Sequence, residues 1–282
     1  MRQKGFIHVI LLILIVFITM GVMSFVMYNG SKKELNLEGD SNYIYKDQAE
    51  KKMNKKEFGW PSNTAKYITA VPVDLTQIQS ISKYRSCAGH IRDGYDFDRI
   101  REYDSSMKHY LYPIPMYQVT MDKVKLFAPF DGKVIQIDYE KNKVIPGRPH
   151  NGNGIHFSTL VDPNVKFVFG HLYFARDFKI GEEVTAGELI GYAAIGDKGT
   201  DFDIDLSGIN KTNDDVEILG SAFDHMTDTV LAKFAKYGVT LENIKFSKEY
   251  RDVHPCGYYG TNKDRSDQCI GRINECWVQL KH

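Results

Sequence analysis

Apolar and polar positions divide this chain into three regimes. Residues 6–28, FIHVILLILIVFITMGVMSFVMY, are almost wholly apolar. At about 1.5 Å per helical residue such a run crosses a hydrocarbon core of roughly 30 Å, which predicts a single transmembrane helix behind a cytoplasmic tip, residues 1–5. The run exceeds the roughly 7 to 15 residues of a secretory h-region and no A-x-A-like site ends it, so it reads as a retained anchor. From residue 29 to residue 66 the chain turns to Lys, Glu, Asn, Asp and Gly, with too little apolar surface to offset the entropy of ordering. That stretch is expected to be a polar linker, with some helical tendency in DQAEKKMNKKEF. From residue 67 onward period-two alternation and turn residues take over, and a globular domain is expected.

Within the domain, VKLFAPF, GKVIQIDY and GIHFSTLV are rich in Val, Ile, Phe and Tyr, are punctuated by Gly and Pro, and predict an antiparallel meander. Asp131-Gly132 predicts a tight hairpin connection. Alternation in IHFSTLV puts Ile155, Phe157 and Thr159 on one face and His156 with Ser158 on the other, which makes His156 a surface residue. KIGEEVTAGELIGY predicts two strands about a turn at Ala186 and Gly187. In DFDIDL, Asp201, Asp203 and Asp205 share one face while Phe202, Ile204 and Leu206 point to the core. Three carboxylates in a row repel one another unless a cation or basic side chains meet them. SAFDHMTDTVLAKFAKYG predicts one helix capped by Ser221 and stopped by Gly238, with Phe223, Met226, Val230, Phe234 and Tyr237 as its buried stripe. WVQLK alternates like a final strand.

Composition excludes some functions. The 36 basic residues balance 36 acidic ones, which gives no electrostatic footprint for a nucleic-acid partner. Lysine and arginine lie on both sides of the apolar run, and the short basic tip is expected to stay in the cytoplasm while the domain is exported. The expected location is therefore the cell membrane, single-pass, with the domain outside the cytoplasm. Cys256, Cys269 and Cys276 crowd the C-terminal tail without a C-x-x-C pair, which in an exported domain favours disulfides over a zinc ribbon. Cys87 is the expected fourth partner. Two bridges can pair in three ways, and a bridge from Cys87 would staple the tail beside the loop that holds Asp96. In SSMKHYLYPIP, Lys108 and His109 are candidates to bind a carboxylate or phosphate.

LFAPFDGKVIQI, FVFGHLYFA, KIGEEVTAGELIGY and TDFDIDL, in that order, resemble the lysostaphin-type (LytM-like) zinc endopeptidases that cut peptidoglycan cross-bridges. The resemblance covers residues 84–206 and implies an all-β, antiparallel barrel-sandwich core over residues 67–210. Residues 211–282 would add one C-terminal helix and a cysteine-containing cap. The hairpin motif is shared with biotinyl and lipoyl carriers, but the lysine those carriers need at the turn is absent. A shorter resemblance, KGF before the apolar run, is to type IV prepilin leaders cut after the glycine, here Gly5, although Ile10 stands where prepilins carry glutamate.

The peptidase resemblance also assigns roles. Its His-x-Gly-x-Asp motif falls on Arg92, Gly94 and Asp96, its cleft histidine on His171, and its closing His-x-His on Asp201 and Asp203. The catalytic positions would be His171 and Asp201. A zinc ion, if bound, would need a His90, Asp96, Asp203 set, since a guanidinium cannot ligate a cation. The simplest expectation is that Arg92 takes the metal's place in a salt bridge with Asp96 or Asp203, and no cofactor is favoured. The implied protein binds peptidoglycan or a cell-envelope peptide without catalysis, as a binding or scaffold domain; the alternative is an active metalloendopeptidase with altered ligands.

Overall fold

Long-range pairing decides where these short strand signals go. The computed structural model of the chain describes residues 60–139, 152–194, 202–208, 217–257, 269 and 275–282, with the side chains of 202–204 left out. The expected tip, anchor and most of the linker lie outside the described residues, and among those described no helix is long and apolar enough to cross a membrane. The strands are β1 (Ile78–Ser82), β2 (His109–Pro113), β3 (Lys125–Phe127), β4 (Gly132–Asp138), β5 (Asn153–Thr159), β6 (Val165–Phe174), β7 (Glu183–Val184), β8 (Leu189–Ala193), β9 (Phe202–Gly208), β10 (Leu219–Gly220) and β11 (Trp277–Gln279). They form one antiparallel sheet system in the order β11-β1-β2-β9-β6-β5-β4-β7, in which β8 bridges β3 and β6, and β10 extends β9. The all-β core expected from the sequence is therefore present.

Alternation builds its interior. Ile155 and Phe157 of β5 and Phe167 and Phe169 of β6 are fully buried, and the two β6 rings meet edge to face at 5.1 Å between centroids. Edge-to-face contact sets the positive rim of one ring against the negative face of the other. Leu206 of β9 joins them in the core. At its N-terminal side the packed core reaches Trp60, whose indole Nε1 donates to the Phe97 carbonyl at 3.0 Å.

Three local expectations change. Asp131-Gly132 does not close a hairpin, because β3 pairs with β8 while β4 pairs with β5 and β7. Gly132 is needed for close approach instead: a Cβ there would sit 2.7 Å from the Ser158 carbonyl oxygen. The residues around Ala186 and Gly187 do turn, with Gly187 at φ +83°, yet β7 and β8 leave the turn for different partners. The single expected helix is broken. A 3-10 turn, Ala222–His225, precedes an extended Met226, and helix α1 covers Asp228–Ala235. The break is tertiary in origin, since Ile68 bonds His225 and Thr227 through its backbone at 2.9 Å each. The buried stripe survives, with Phe223, Met226, Val230 and Phe234 all buried. A second short helix, α2 (Lys248–Val253), follows, capped by the Ser247 hydroxyl accepting from Tyr250 N.

The tail closes the fold. Strand β11 pairs with β1, and Cys87–Cys256 and Cys269–Cys276 are disulfides packed with Tyr110 and Trp277 in a satellite core. The first bridge spans 169 residues of sequence, so it restricts the unfolded chain far more than the second, which spans 7. Replacing Cys87 and Cys256 together by Ser is expected to cost on the order of 2 to 5 kcal/mol, read as a lower denaturation midpoint. Thiol labelling of denatured, unreduced wild type should find no reactive cysteine; labelling at four positions would contradict both bridges.

Candidate functional site

The site is a loop, residues 84–106, laid on the polar face of the sheet. Tyr110 of β2 is its pedestal. Gly89, at φ +68°, lies so close that a Cβ would come within 2.4 Å of the Tyr110 ring, and the Tyr110 hydroxyl accepts from His90 N at 2.9 Å. A residue with a side chain would be doubly excluded there, by its backbone conformation and by the ring. The loop is then stitched through Arg92, whose N–H donates to Ser105 O and whose carbonyl accepts from Met107 N. Gly94 completes the approach, since a Cβ on it would be 2.5 Å from the Glu217 carbonyl oxygen that Tyr95 N bonds at 2.8 Å.

This stitching aims Arg92 at the sheet. Its guanidinium is ion-paired through Nη1 with Asp205 of β9 and through Nη2 with Glu217 at 2.9 Å. Asp205 is 2 % exposed, and neither of its oxygens has a hydrogen-bond partner of regular geometry. The guanidinium charge is therefore its main compensation. Arg92 does form salt bridges, and of the two acids expected Asp96 is not a partner, while the Asp203 side chain lies outside the described residues. Asp96 accepts from Ile100 N at 2.9 Å and lies 3.7 Å from Arg85, while Arg85 grips the buried Glu102 at 2.7 and 2.5 Å. Burial, first of all, pushes the Asp96 carboxyl up to about 6, and the neighbouring Glu102 adds to the rise.

The remaining candidates separate. His90 is half-buried beside Tyr110 on the same loop as Arg92. Lys108 is buried with its Nζ 4.7 Å from the Tyr110 ring centre. His109 is a core residue, donating from Nδ1 to Ser82 O at 2.8 Å, receiving the Ser221 hydroxyl at Nε2 at 3.4 Å, and flanked by Tyr84 and Phe223. Its burial pushes the imidazole down to about 4. His171 lies on β6 at φ +61°, a left-handed conformation that costs a non-glycine residue roughly 1 to 3 kcal/mol, and its carbonyl takes Ala194 N at 2.7 Å. The β6 ladder changes partners there, since Gly170 pairs with Asp203 of β9 and Leu172 with Ala193 of β8. Asp201 lies outside the described residues, and Asp203 is described by its backbone alone, between Tyr110 and Gly170.

Two residues were missed. Asp205, visible as the third acid of the row, is a described acid of that row that the arginine meets. His156 is not a surface residue: 13 % of its side chain is accessible, Nε2 donates to Asp138 at 2.9 Å, and burial with the Lys166 charge lowers its pKa. Among the described residues no donor set fits zinc; Asp201 and the Asp203 side chain lie outside them. A guanidinium occupies the Asp205 carboxylate, Asp96 is committed elsewhere, and among the described residues no three His, Cys, Asp or Glu side chains are grouped to hold a metal ion.

No protein-family model and no curated protein sequence matches the chain. Solved structures similar to it include a protein from Ruminococcus gnavus described as a LytM glycyl-glycine endopeptidase (17 % identity, TM-score 0.37, 58 % of this chain and 61 % of that one). A zinc-containing peptidase from Vibrio cholerae is similar at 16 % identity and TM-score 0.34, over 58 % of this chain and 41 % of that one. The catalytic domain of lysostaphin from Staphylococcus simulans follows at 14 % identity and TM-score 0.31, over 49 % and 86 %. At such scores nothing about this chain's chemistry follows from them.

Two outcomes are expected of the site. Arg92→Ala leaves Asp205 buried without its counter-charge and should lower stability by about 3 kcal/mol, and adding Asp205→Asn should restore part of that loss. Denaturant midpoints of the single and double variants measure it; equal midpoints for wild type and Arg92→Ala would remove the pair from the account. Acid should also destabilise the domain. His109 titrates near 6.5 when unfolded and about 4 when folded, so its contribution is complete above pH 6.5 and is lost as pH falls through 4. The full effect is on the order of 3 kcal/mol. Asp96, raised from 3.8 to about 6, works the other way between those values, but His156 and His225 are lowered like His109 and the net loss stands. His109→Phe should flatten the slope of stability against pH between 6.5 and 4.

Proposed function

We propose that this chain is a membrane-anchored, extracytoplasmic domain that binds cell-wall peptide and does not cut it. The observation that carries the reading is the Arg92–Asp205 pair, which puts a fixed organic cation where the resemblance in sequence asks for a ligand of zinc. A hydrolytic zinc site needs neutral or anionic donors around an open coordination position that holds a water. An arginine supplies neither.

What remains is suited to holding a ligand. The loop that carries Arg92 is fixed by Tyr110 and by Cys87–Cys256, so the face it borders is preorganised, and binding there loses little entropy to ordering. The left-handed His171 is a local strain of the kind that persists where the surrounding structure over-determines it. The apolar run at 6–28 supplies the anchor, and the oxidised cysteines suit a compartment outside the cytoplasm.

The purified full-length chain should be retained by isolated peptidoglycan and release no fragments from it, and metal analysis should find no stoichiometric zinc. Stoichiometric zinc together with peptide release, both lost in Asp96→Ala and in His171→Ala, would establish the active peptidase instead. Protease added to intact cells, with only the outer layers permeabilised, should remove the domain; full protection would place it in the cytoplasm.

A further inference from the structure

Away from Arg92, the polar face of the sheet carries a second group of side chains that the reading above does not use. The registers set Lys133 of β4 opposite Ser158 of β5, Ser158 opposite Lys166 of β6, and Lys166 opposite Ser207 of β9. Directly opposed residues on adjacent strands point to the same face, so lysine and serine alternate in one row across four strands. Lys133 is drawn off toward Glu183 at 3.6 Å. Among the described residues Lys166 makes no ion pair or side-chain hydrogen bond. Ser207 is fully buried, its hydroxyl has no partner, and Ser158 is buried on the other side of Lys166. One row over, His156 Nδ1 is also buried without a partner.

A buried hydroxyl that bonds nothing carries a desolvation cost of roughly 1 to 3 kcal/mol, and an ammonium beside it that makes no ion pair marks where an acceptor belongs. We propose that Lys166 and Ser207 form a subsite for a carboxylate, the free C-terminal group of a short peptide. The ammonium supplies the charge, and the hydroxyl supplies a donor to the second oxygen. In the neighbouring row Asp205 stands opposite Val168 and Asp138 bonds His156, which holds the local positive potential low and favours a singly charged carboxylate over a phosphate dianion. The subsite rests on the reading of the domain as a cell-wall peptide binder and names the part of the peptide it would hold.

The test uses the full-length chain and three probes: a short alanine-rich peptide with a free C-terminal carboxylate, the same peptide as its C-terminal amide, and inorganic phosphate. Calorimetry should show the acid binding at least tenfold more tightly than the amide. Lys166→Met should abolish that difference, Lys166→Arg should keep most of it, and Ser207→Ala should reduce it, all with thermal midpoints near wild type. Equal binding of acid and amide, or wild-type binding by Lys166→Met, overturns the subsite. Phosphate competing as well as the acid overturns the peptide assignment. Retention on isolated peptidoglycan is measured alongside. If it persists while the acid and amide bind alike, the subsite fails alone; if retention also fails, the binding function fails with it.

Discussion

The compensation of one buried carboxylate organises the functional half of this molecule. Asp205 is sealed into the face of the sheet by the pairing of β9 with β2 and β6, and a charge removed from water is costly unless an opposite charge comes to it. Arg92 comes to it from a loop that otherwise has little reason to lie there. The rest follows from the demand that this arginine arrive at one place. A ring and a hydroxyl at Tyr110 support the loop, glycines at 89 and 94 let it approach, and a disulfide anchors its start. Interactions worth little singly become effective when each limits the freedom of the next.

That arrangement also separates two demands usually met by one set of residues. In a hydrolytic zinc site the same groups must hold a metal cation and leave it reactive, whereas here the Arg92 guanidinium is itself the cation that Asp205 meets. His171 holds a left-handed backbone at the point where β6 leaves β9 for β8, so the change of partner is concentrated in one strained residue.

Much of the fold was legible because it depends on local period. The alternation of Ile155 and Phe157, the breaks at glycine and proline, and the cysteine-rich tail all act over a few residues, and the structure keeps each of them. Partner choice was not legible. Nothing within APFDGKV says that its first half will pair with β8 and its second with β5, and nothing in SAFDHMT says that Ile68 will pull Met226 out of a helix. The site shows the same division. The row of acids in DFDIDL announced a cation, and Arg92 was visible as one, but which acid it meets depends on how far the loop reaches across the sheet. His156 was misjudged for the same reason: alternation fixes a side chain's face and says nothing of what lies over that face.

The pairing of segments far apart in sequence has a consequence for the order of folding. Strand β1 needs β11 as its neighbour, and Cys87 needs Cys256, so the early part of the domain waits for residues made much later. Until then Arg92 belongs to a loop with an unfastened start, and β1 presents an unpaired edge. Assembly is thus a closure by the tail rather than a growth from the head. A chain stalled or trimmed before Cys256 would display an open strand edge and a free thiol together, the two features by which quality-control machinery tells an unfinished protein from a finished one.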